Sequence, residues 1–310
     1  MAEPGLAALD DALRKADLVD GVRVDYPVGG LTTYRVGGPA ARFVRPVDIA
    51  ELERVALAVA TVADVGAALP VLVVGRGSNL LVSDRGFGGL AIQLGMGFEE
   101  IAIDGDVVLA GGAASLPVAA RLTVAGGLEG FEWAVGVPGS IGGAVRMNAG
   151  GHGSDMATVL VSATTVDLQT GATGTRTVED LALGYRTSAV TSAEVVVAAE
   201  FRLVVGERSR GEEKLAEVVR WRRANQPGGH NAGSVFANPP GDSAGRLIEA
   251  AGGRGMRIGS AEVSVRHANF IQVDEGGSAE DVARLMAEVA RRVDEVHGVR
   301  LEPETVLVGF

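Results

Sequence analysis

Two glycine-rich loops are the part of this chain best suited to hold a ligand through backbone atoms. Gly136 to Gly151 reads GVPGSIGGAVRMNAGG, and Gly75 to Gly89 reads GRGSNLLVSDRGFGG. Glycine costs backbone entropy and buries no side chain, so its concentration indicates that N–H groups must approach something closely, most often a phosphate or a flat ring. The loops predict a large phosphate-bearing cofactor. The alternative is a pair of ordinary turns in a chain with 45 glycines among 310 residues.

The common phosphate-binding motifs do not fit these loops. A P-loop requires a lysine after its glycines, and lysine occurs only at Lys15 and Lys214. The Rossmann fingerprint fails because Gly75-x-Gly77 leads to Leu80 where the third glycine belongs. The chain has no cysteine, which excludes disulfides, thiolate metal sites and a cysteine nucleophile and fits a cytoplasmic location. No pair of the four histidines has metal-ligand spacing, so no metal site is expected.

The net charge of −11 predicts repulsion of nucleic acid and of anionic membrane surfaces. An anionic ligand must therefore be met by nearby arginines or by N–H groups. The acidic N-terminus is unlike a signal peptide, and the apolar residues 55–75 are interpreted as helix, turn and buried strand. No membrane segment is expected.

Hydrophobic periodicity predicts two or three compact α+β units that position the loops. A helix begins at Asp48, and the strand Val71–Val74 leads into the first loop. Short β-rich segments fill residues 90–205, and the charged patch ERSRG at 207–211 is the expected boundary. The clearest helix begins at Ser278 and ends at Gly298, and residues 301–310 are predicted to form one strand. The apolar faces of the two helices are Leu52, Val55, Ala56 and Val59 in the first and Val282, Leu285, Met286, Val289, Val293 and Val296 in the second.

Three polar residues outside the loops are candidates for chemistry. They are Arg186 in GYRTS, Ser234 in AGSVFANP and Glu304 in the closing segment LEPETVLVGF. Taken singly, each has an ordinary explanation: a surface arginine, a turn serine and an outward-facing strand residue.

Together with the loops, these segments resemble one family, the UDP-N-acetylenolpyruvoylglucosamine reductases (MurB) of peptidoglycan synthesis. The matching motifs run in order from about Thr32 to the C-terminus. The compact spacing of these motifs and the sequence HANFI resemble the shorter subclass of the family, which lacks an extra substrate-covering loop. The motifs are TTYRVGGPA, GRGSNLLVSDRGFGG, GVPGSIGGAVRMNAGG, GYRTS, RRANQPGGHNAGSVFANP, SAGRLIEAAG, AEVSVRHANFIQV and LEPETVLVGF.

The resemblance implies an α+β fold with a two-part FAD-binding module of the PCMH or vanillyl-alcohol-oxidase type and a C-terminal α/β substrate-binding domain. The implied boundaries are residues 1–84 and 85–206 for the two FAD-binding parts and 207–299 for the substrate domain, with strand 300–310 packing on the first part. It also implies a monomeric cytoplasmic enzyme, UDP-N-acetylmuramate dehydrogenase, with non-covalent FAD and with NADPH as reductant. Its substrate would be the enolpyruvyl ether of UDP-N-acetylglucosamine, with neither nucleic acid nor membrane as a partner.

The resemblance also implies site residues. Those expected to hold FAD are Gly75, Arg76, Gly77, Ser78, Asn79, Val137, Pro138, Gly139, Ser140, Gly142 and Gly143. Those expected to contact the substrate are Tyr185, Arg222, Arg223, Asn238 and His267. The implied catalytic set is Arg186, Ser234 and Glu304.

The chemistry explains these residue types. Hydride transfer to the vinyl carbon leaves carbanion character beside the carboxylate, and stabilising that charge is the main task. Arg186 would present a fork of donors to the carboxylate, Glu304 would carry or relay a proton, and Ser234 would deliver a proton to the carbanionic carbon.

Departures from the family pattern affect the substrate contacts. Asn225 and Ala237 stand where the family often has basic residues, and Val306 where it often has arginine, so Arg222 or Arg223 would have to compensate. His152 is expected not to attach the flavin covalently. Two other functions remain open from the residues: an FAD-dependent oxidase of the broader fold acting on a small alcohol or hydroxy acid, and a flavin- or nucleotide-binding module without catalysis.

Overall fold

The computed structural model describes residues 4–64, 66 and 69–310. Its α-helices are α1 (Pro4–Lys15), α2 (Ile49–Asp64), α3 (Leu116–Ala125), α4 (Ile141–Arg146), α5 (Val178–Leu181), α6 (Arg208–Asn225), α7 (Ala244–Ala250) and α8 (Ala279–His297). Its strands are β1 (Arg23–Tyr26), β2 (Ala40–Val44), β3 (Val71–Val73), β4 (Leu80–Val82), β5 (Phe87–Ile92), β6 (Ile101–Asp104), β7 (Val107–Gly111), β8 (Leu128–Glu129), β9 (Gly150–Gly151), β10 (Ser154–Asp155), β11 (Leu160–Asp167), β12 (Thr173–Thr177), β13 (Glu194–Arg202), β14 (Val204–Val205), β15 (Arg257–Ile258), β16 (Ala261–Val263), β17 (Ile271–Val273) and β18 (Val306–Val308).

The chain divides into two compact units. Unit 1 comprises Met1–Val24, Ala41–Arg76 and Gly89–Arg220, and unit 2 comprises Asp25–Ala40, Gly77–Gly88 and Trp221–Phe310. No helix in the described ranges combines the length and the apolar character needed to cross a bilayer.

Unit 1 is built around a five-stranded antiparallel sheet in the order β12–β11–β13–β7–β6. Side chains alternate between the two faces of a strand, and both faces of β13 are covered. Val195 and Val197 join the apolar cluster that includes α2, whereas Val196 and Phe201 join a second cluster around Trp133. Elsewhere in the unit, β3 pairs in parallel with β5 and leads to Gly75. The five-stranded sheet thus provides a frame for α4, while the pairing of β3 with β5 fixes the start of the first glycine loop.

Unit 2 has a three-stranded antiparallel sheet, β15–β16–β17, beside α7 and α8. Its core brings together Tyr34, Leu81, Phe236 and Leu285, which are distant in the sequence. The last strand, β18, pairs in parallel with β4.

The strongly periodic segments were predicted well. The helix predicted from Asp48 is α2, and α8 begins after Ser278 and ends at Gly298, whose φ is 65°. Val296, placed on the buried face, is 55% exposed because it lies in the last turn, beyond the core. The prediction of one strand over residues 301–310 is wrong, since only Val306–Val308 is a strand. The turn predicted after α2 falls partly on residues 65, 67 and 68, which lie outside the described residues.

Asp281 fastens the first turn of α8 to the loop before β16, and it provides a test of this packing. It accepts hydrogen bonds from the Ser260 N–H at 2.8 Å and hydroxyl at 2.9 Å. The Ser260 N–H, the Arg284 guanidinium and the Ser260 hydroxyl together hold the pKa of Asp281 below its ordinary value. The stabilisation is therefore present above the unfolded-state pKa and is lost as pH falls through the lower folded-state value.

We expect Asp281→Asn to lower the free energy of unfolding by about 1 kcal/mol at pH 7, and the difference to shrink as the pH falls below about 4. Urea unfolding from pH 7 to pH 3 measures it. Glu288→Gln, which alters an exposed pair on the same helix, is the control and should change the free energy by less than about 0.5 kcal/mol. Equal effects of the two substitutions at pH 7 would contradict the assignment.

Candidate active site

A cavity of about 260 Å³ opens in unit 1 beside the end of β3. Drug-sized ligands occupy pockets of roughly 300–1,000 Å³, so this cavity accommodates part of a dinucleotide. Residues from both glycine loops line it, namely Gly75, Arg76, Ser140, Gly142 and Gly143.

The glycines of the second loop allow α4 to approach the sheet. A Cβ at Gly142 would lie 2.9 Å from the carbonyl oxygen of Val196. The Gly142 N–H donates to the Gly112 carbonyl at 2.8 Å, and the Ile141 N–H donates to the Ala114 carbonyl at 2.9 Å. These N–H groups are therefore used inside the protein. Close backbone packing, rather than phosphate contact through these two N–H groups, explains this part of the loop.

Gly75 meets the second loop directly. A Cβ at Gly75 would lie 2.5 Å from Ser140 Oγ, which accepts a hydrogen bond from the Gly143 N–H at 3.3 Å and caps α4. A larger residue at position 75 would displace this cap, so the cavity wall requires glycine there.

The first loop differs from the Ile141 and Gly142 part of the second in the use of its N–H groups. No acceptor among the described residues receives a hydrogen bond from the N–H groups of residues 75–79. In unit 2, Gly77 has a φ of 62°, and Thr33 donates its N–H to the Gly77 carbonyl at 3.1 Å. Successive N–H groups near a left-handed residue form a concavity that suits an anion. Within the described part of unit 2, the buried hydroxyls of Thr33 and Thr305 also have no hydrogen-bond partner.

Charge at the cavity in unit 1 favours an anionic group although the protein is acidic. Three arginines line it, Arg45, Arg76 and Arg146, together with the carboxylates of Glu99 and Glu194. The Glu194 carboxylate is paired with Arg176 at 2.9 Å, which compensates its charge. Within unit 1, the positive side chains and the N–H groups of Gly75 and Arg76 therefore fit a phosphate group.

Two hydrogen-bonded polar side chains that support Gly75 were not predicted from the sequence. Arg45 Nη2 donates to Gln93 Oε1 at 2.5 Å, and Gln93 Nε2 donates to the Gly75 carbonyl at 2.9 Å. The available signal was that Gln93 is the polar residue in the apolar segment LAIQL.

Arg186 and Tyr185 lie in unit 1 on a tight turn. The Gly184 N–H donates to the Thr187 carbonyl at 3.0 Å, and the Thr187 N–H donates to the Gly184 carbonyl at 3.2 Å. Both Nη atoms of Arg186 contact the Gly150 carbonyl, at 3.3 and 3.4 Å. Tyr185 is 62% exposed, and the Arg186 guanidinium lies 5.6 Å from the centroid of its ring.

Ser234 and Glu304 are brought onto neighbouring segments of unit 2. The Glu304 N–H donates to the carbonyl of Val235 at 2.8 Å, and the Asn79 side chain donates to the Glu304 carbonyl at 2.9 Å. Asn269, which is 2% exposed, exchanges hydrogen bonds with the Phe236 N–H at 3.0 Å and the Phe236 carbonyl at 2.8 Å. A serine and a carboxyl group on adjoining segments can form a proton-transfer pair. Asn269 was also missed, although it stands in HANFIQV.

The remaining substrate candidates lie in unit 2. Arg222 and Arg223 are at the end of α6, and burial lowers the pKa of Arg222. Burial also lowers the pKa of His267, whose Nδ1 accepts from the Asn269 N–H at 3.3 Å. Asn238 accepts from the Ala244 N–H at 3.0 Å, a bond that stabilises the start of α7.

Two family models match this chain. Residues 39–175 match the family model of the FAD binding domain, and residues 225–308 match that of the UDP-N-acetylenolpyruvoylglucosamine reductase C-terminal domain. Both matches confirm the predicted fold class.

Relatives match over nearly the whole chain. The UDP-N-acetylenolpyruvoylglucosamine reductase of Rubrobacter xylanophilus is 40% identical over 94% of this chain and 97% of its own length. Reductase 2 of Symbiobacterium thermophilum is 41% identical over 93% of this chain and 92% of its own. The crystal structure of MurB from Thermus caldophilus superimposes with a TM-score of 0.79 at 35% identity, covering 93% of this chain and 99% of that one. With this identity and coverage, the chain belongs to the UDP-N-acetylenolpyruvoylglucosamine reductase (MurB) family.

Proposed function

We propose that Arg186, Ser234 and Glu304 carry the chemistry of this reductase. The chain is an FAD-dependent enzyme of peptidoglycan synthesis that uses NADPH to reduce the enolpyruvyl ether of UDP-N-acetylglucosamine to UDP-N-acetylmuramate. The observation that carries the residue assignment is the 2.8 Å hydrogen bond from the Glu304 N–H to Val235, because it holds Glu304 beside the segment of Ser234.

The proposed FAD-holding residues divide into two groups by chemistry. Arg76 and the N–H groups of residues 75–79 are the donors for the phosphates. Ser140, Gly142 and Gly143 form the cavity wall, and Val137, Pro138 and Gly139 form the chain that leads to it. When bound, FAD supplies the hydride received from NADPH.

Each proposed catalytic side chain has a separate role in the reduction of the substrate. The Arg186 guanidinium stabilises the negative charge that spreads into the substrate carboxylate, for which its planar fork of donors is suited. Ser234 Oγ delivers a proton to the carbanionic carbon, and Glu304 holds and resupplies that proton. Tyr185, Arg222, Arg223, Asn238 and His267 are proposed to contact the substrate.

Finer features of the enzyme are also proposed. The compact motif spacing and the HANFI wording support the shorter subclass. We retain FAD-binding parts at 1–84 and 85–206 and a substrate domain at 207–299. The pairing of β18 with β4 supports the packing of the C-terminal segment 300–310 on the first part. We further propose that the enzyme is a monomer in the cytoplasm, where its reductant NADPH is available.

The contact between Gly75 and Ser140 allows a test of cofactor binding. We expect Gly75→Ala to raise the dissociation constant for FAD by about tenfold or more, since the added Cβ displaces the cap of α4. Fluorescence titration of the apoprotein with FAD measures this. Gly174→Ala is the control, because a Cβ there meets nothing within 4 Å and φ is not in the left-handed region. Equal FAD affinity of the two variants would count against the cavity.

Ser234 is expected to act in only one half-reaction. Ser234→Ala should bleach its flavin with NADPH at the normal rate, because that step delivers no proton to carbon. Reoxidation by the enolpyruvyl substrate should slow by roughly 10²- to 10⁴-fold, the usual contribution of a positioned acid. Stopped-flow absorbance separates the two steps. Ser234→Cys should restore part of the rate, while equal slowing of both steps would mean that Ser234 only shapes the pocket.

Arg186→Ala and Glu304→Gln are expected to lower kcat by roughly 10²- to 10³-fold while the FAD dissociation constant stays within about threefold of that of the unsubstituted enzyme. Both side chains act on charge that develops during the reaction, so their loss should appear in turnover. Steady-state kinetics and FAD titration give the two quantities. A variant that loses FAD yet turns over normally once saturated would show that its residue holds the cofactor.

A further inference from the structure

Asn148, at the end of the second glycine loop, is a buried amide whose hydrogen-bonding groups are all used. It is 4% exposed and has a φ of 40°, a conformation that asparagine tolerates better than most residues. Its Oδ1 accepts from the Ala157 N–H at 3.0 Å. Its Nδ2 donates to the Gly184 carbonyl at 2.9 Å and to Asp155 Oδ2 at 3.3 Å. The bonds with Ala157 and Asp155 orient the amide, and the bond to Gly184 reaches the turn that carries Arg186.

The short segment from Asn148 to Gly150 contacts that turn twice. Asn148 holds the carbonyl of Gly184, where the turn begins, and Gly150 receives the guanidinium of Arg186. Arg186 itself has a φ of 57°, so the turn places a non-glycine residue in the left-handed region. Such a conformation persists only when surrounding contacts determine it.

A second hydrogen bond connects the residue after the turn to the second glycine loop. Ser188 Oγ donates to the Arg146 carbonyl at 2.7 Å. Ser188 Oγ also accepts from the Val190 N–H at 3.2 Å, so this hydroxyl is itself held in place. It lies after the turn, however, whereas Asn148 binds Gly184, the residue at which the turn begins.

We propose that Asn148 is a positioning residue for Arg186: it fixes the turn Gly184–Thr187 so that the guanidinium is held in one place when the substrate carboxylate arrives. This inference rests on the proposed role of Arg186. It assigns a function to the asparagine of the MNAGG motif, which otherwise reads as part of a cofactor loop.

An exchange of side chains isolates the bond to Gly184. In the double variant Asn148→Asp/Asp155→Asn, the net charge is unchanged, the Ala157 N–H keeps an acceptor, and the amide at position 155 can donate to the new carboxylate. At the Gly184 carbonyl, the donor is replaced by a carboxylate oxygen, which cannot donate and repels that carbonyl. The single variant Asp155→Asn, which keeps Asn148, is the matched control.

We expect the exchange to slow substrate reduction by about tenfold to a hundredfold, the usual cost of a misplaced catalytic group. The FAD dissociation constant and the rate of flavin reduction by NADPH should stay within about threefold of those of the control. In an Arg186→Ala background the exchange should cost less than about threefold, because a residue that acts through Arg186 has nothing left to position. Stopped-flow half-reactions and FAD titration give these quantities, and Asn148→Gly, which also tolerates positive φ, replaces the exchange if that variant does not fold.

The outcomes separate this proposal from the one on which it rests. If Arg186→Ala is slow and the exchange is equally costly with and without Arg186, or has no effect, Asn148 does not position Arg186 and the catalytic assignment stands. If Arg186→Ala reduces substrate at the normal rate, the catalytic role of Arg186 fails and this proposal fails with it.

Discussion

The close approach of α4 to the five-stranded sheet is the constraint on which the site in unit 1 depends. The Gly142 N–H reaches the carbonyl of Gly112, and at both glycines a Cβ would press on the carbonyl of Val196. With α4 held there, Ser140 closes one wall of the cavity against Gly75. The chain then leaves the helix directly into Asn148, so the cavity wall and the support of the Arg186 turn follow from one packed contact.

Unit 2 holds its candidate catalytic segments in place by hydrogen bonds of side chains and backbone. Its segment with Ser234 is fixed by a buried side chain, Asn269, rather than by glycine packing. The Glu304 segment is held by backbone bonds to Val235 and by the side chain of Asn79. Buried amides are effective in such positions because an unpaired donor or acceptor in the interior costs more than a hydrogen bond gains. Each of these hydrogen bonds therefore strongly favours the observed arrangement over one in which its donor or acceptor is unpaired.

The sequence was informative where local pattern and structure agree. Periodicity and capping residues located α2 and α8, and the two glycine loops indicated where a cavity forms. It was uninformative where a partner lies far along the chain. The bond from Gln93 to Gly75 spans 18 residues, and those from Asn269 to Phe236 span 33. No local pattern encodes such pairings, so Gln93, Asn269 and Asn148 were not identified as supports. The glycines of the second loop were also interpreted as phosphate donors, whereas the N–H groups of Ile141 and Gly142 serve packing.

Unit 2 is formed by segments that are far apart in the sequence, and this affects how it folds during translation. Its core joins Tyr34 and Leu81 to Phe236 and Leu285, so the early segments Asp25–Ala40 and Gly77–Gly88 emerge long before their partners in Trp221–Phe310. Domains generally fold as units, and contacts of high sequence separation form late. All segments of unit 1 have been made once Arg220 has emerged, whereas the two early segments of unit 2 still lack their partners in Trp221–Phe310. The folding of unit 2 therefore cannot be completed until translation is nearly finished, even though two of its segments are among the first to be made.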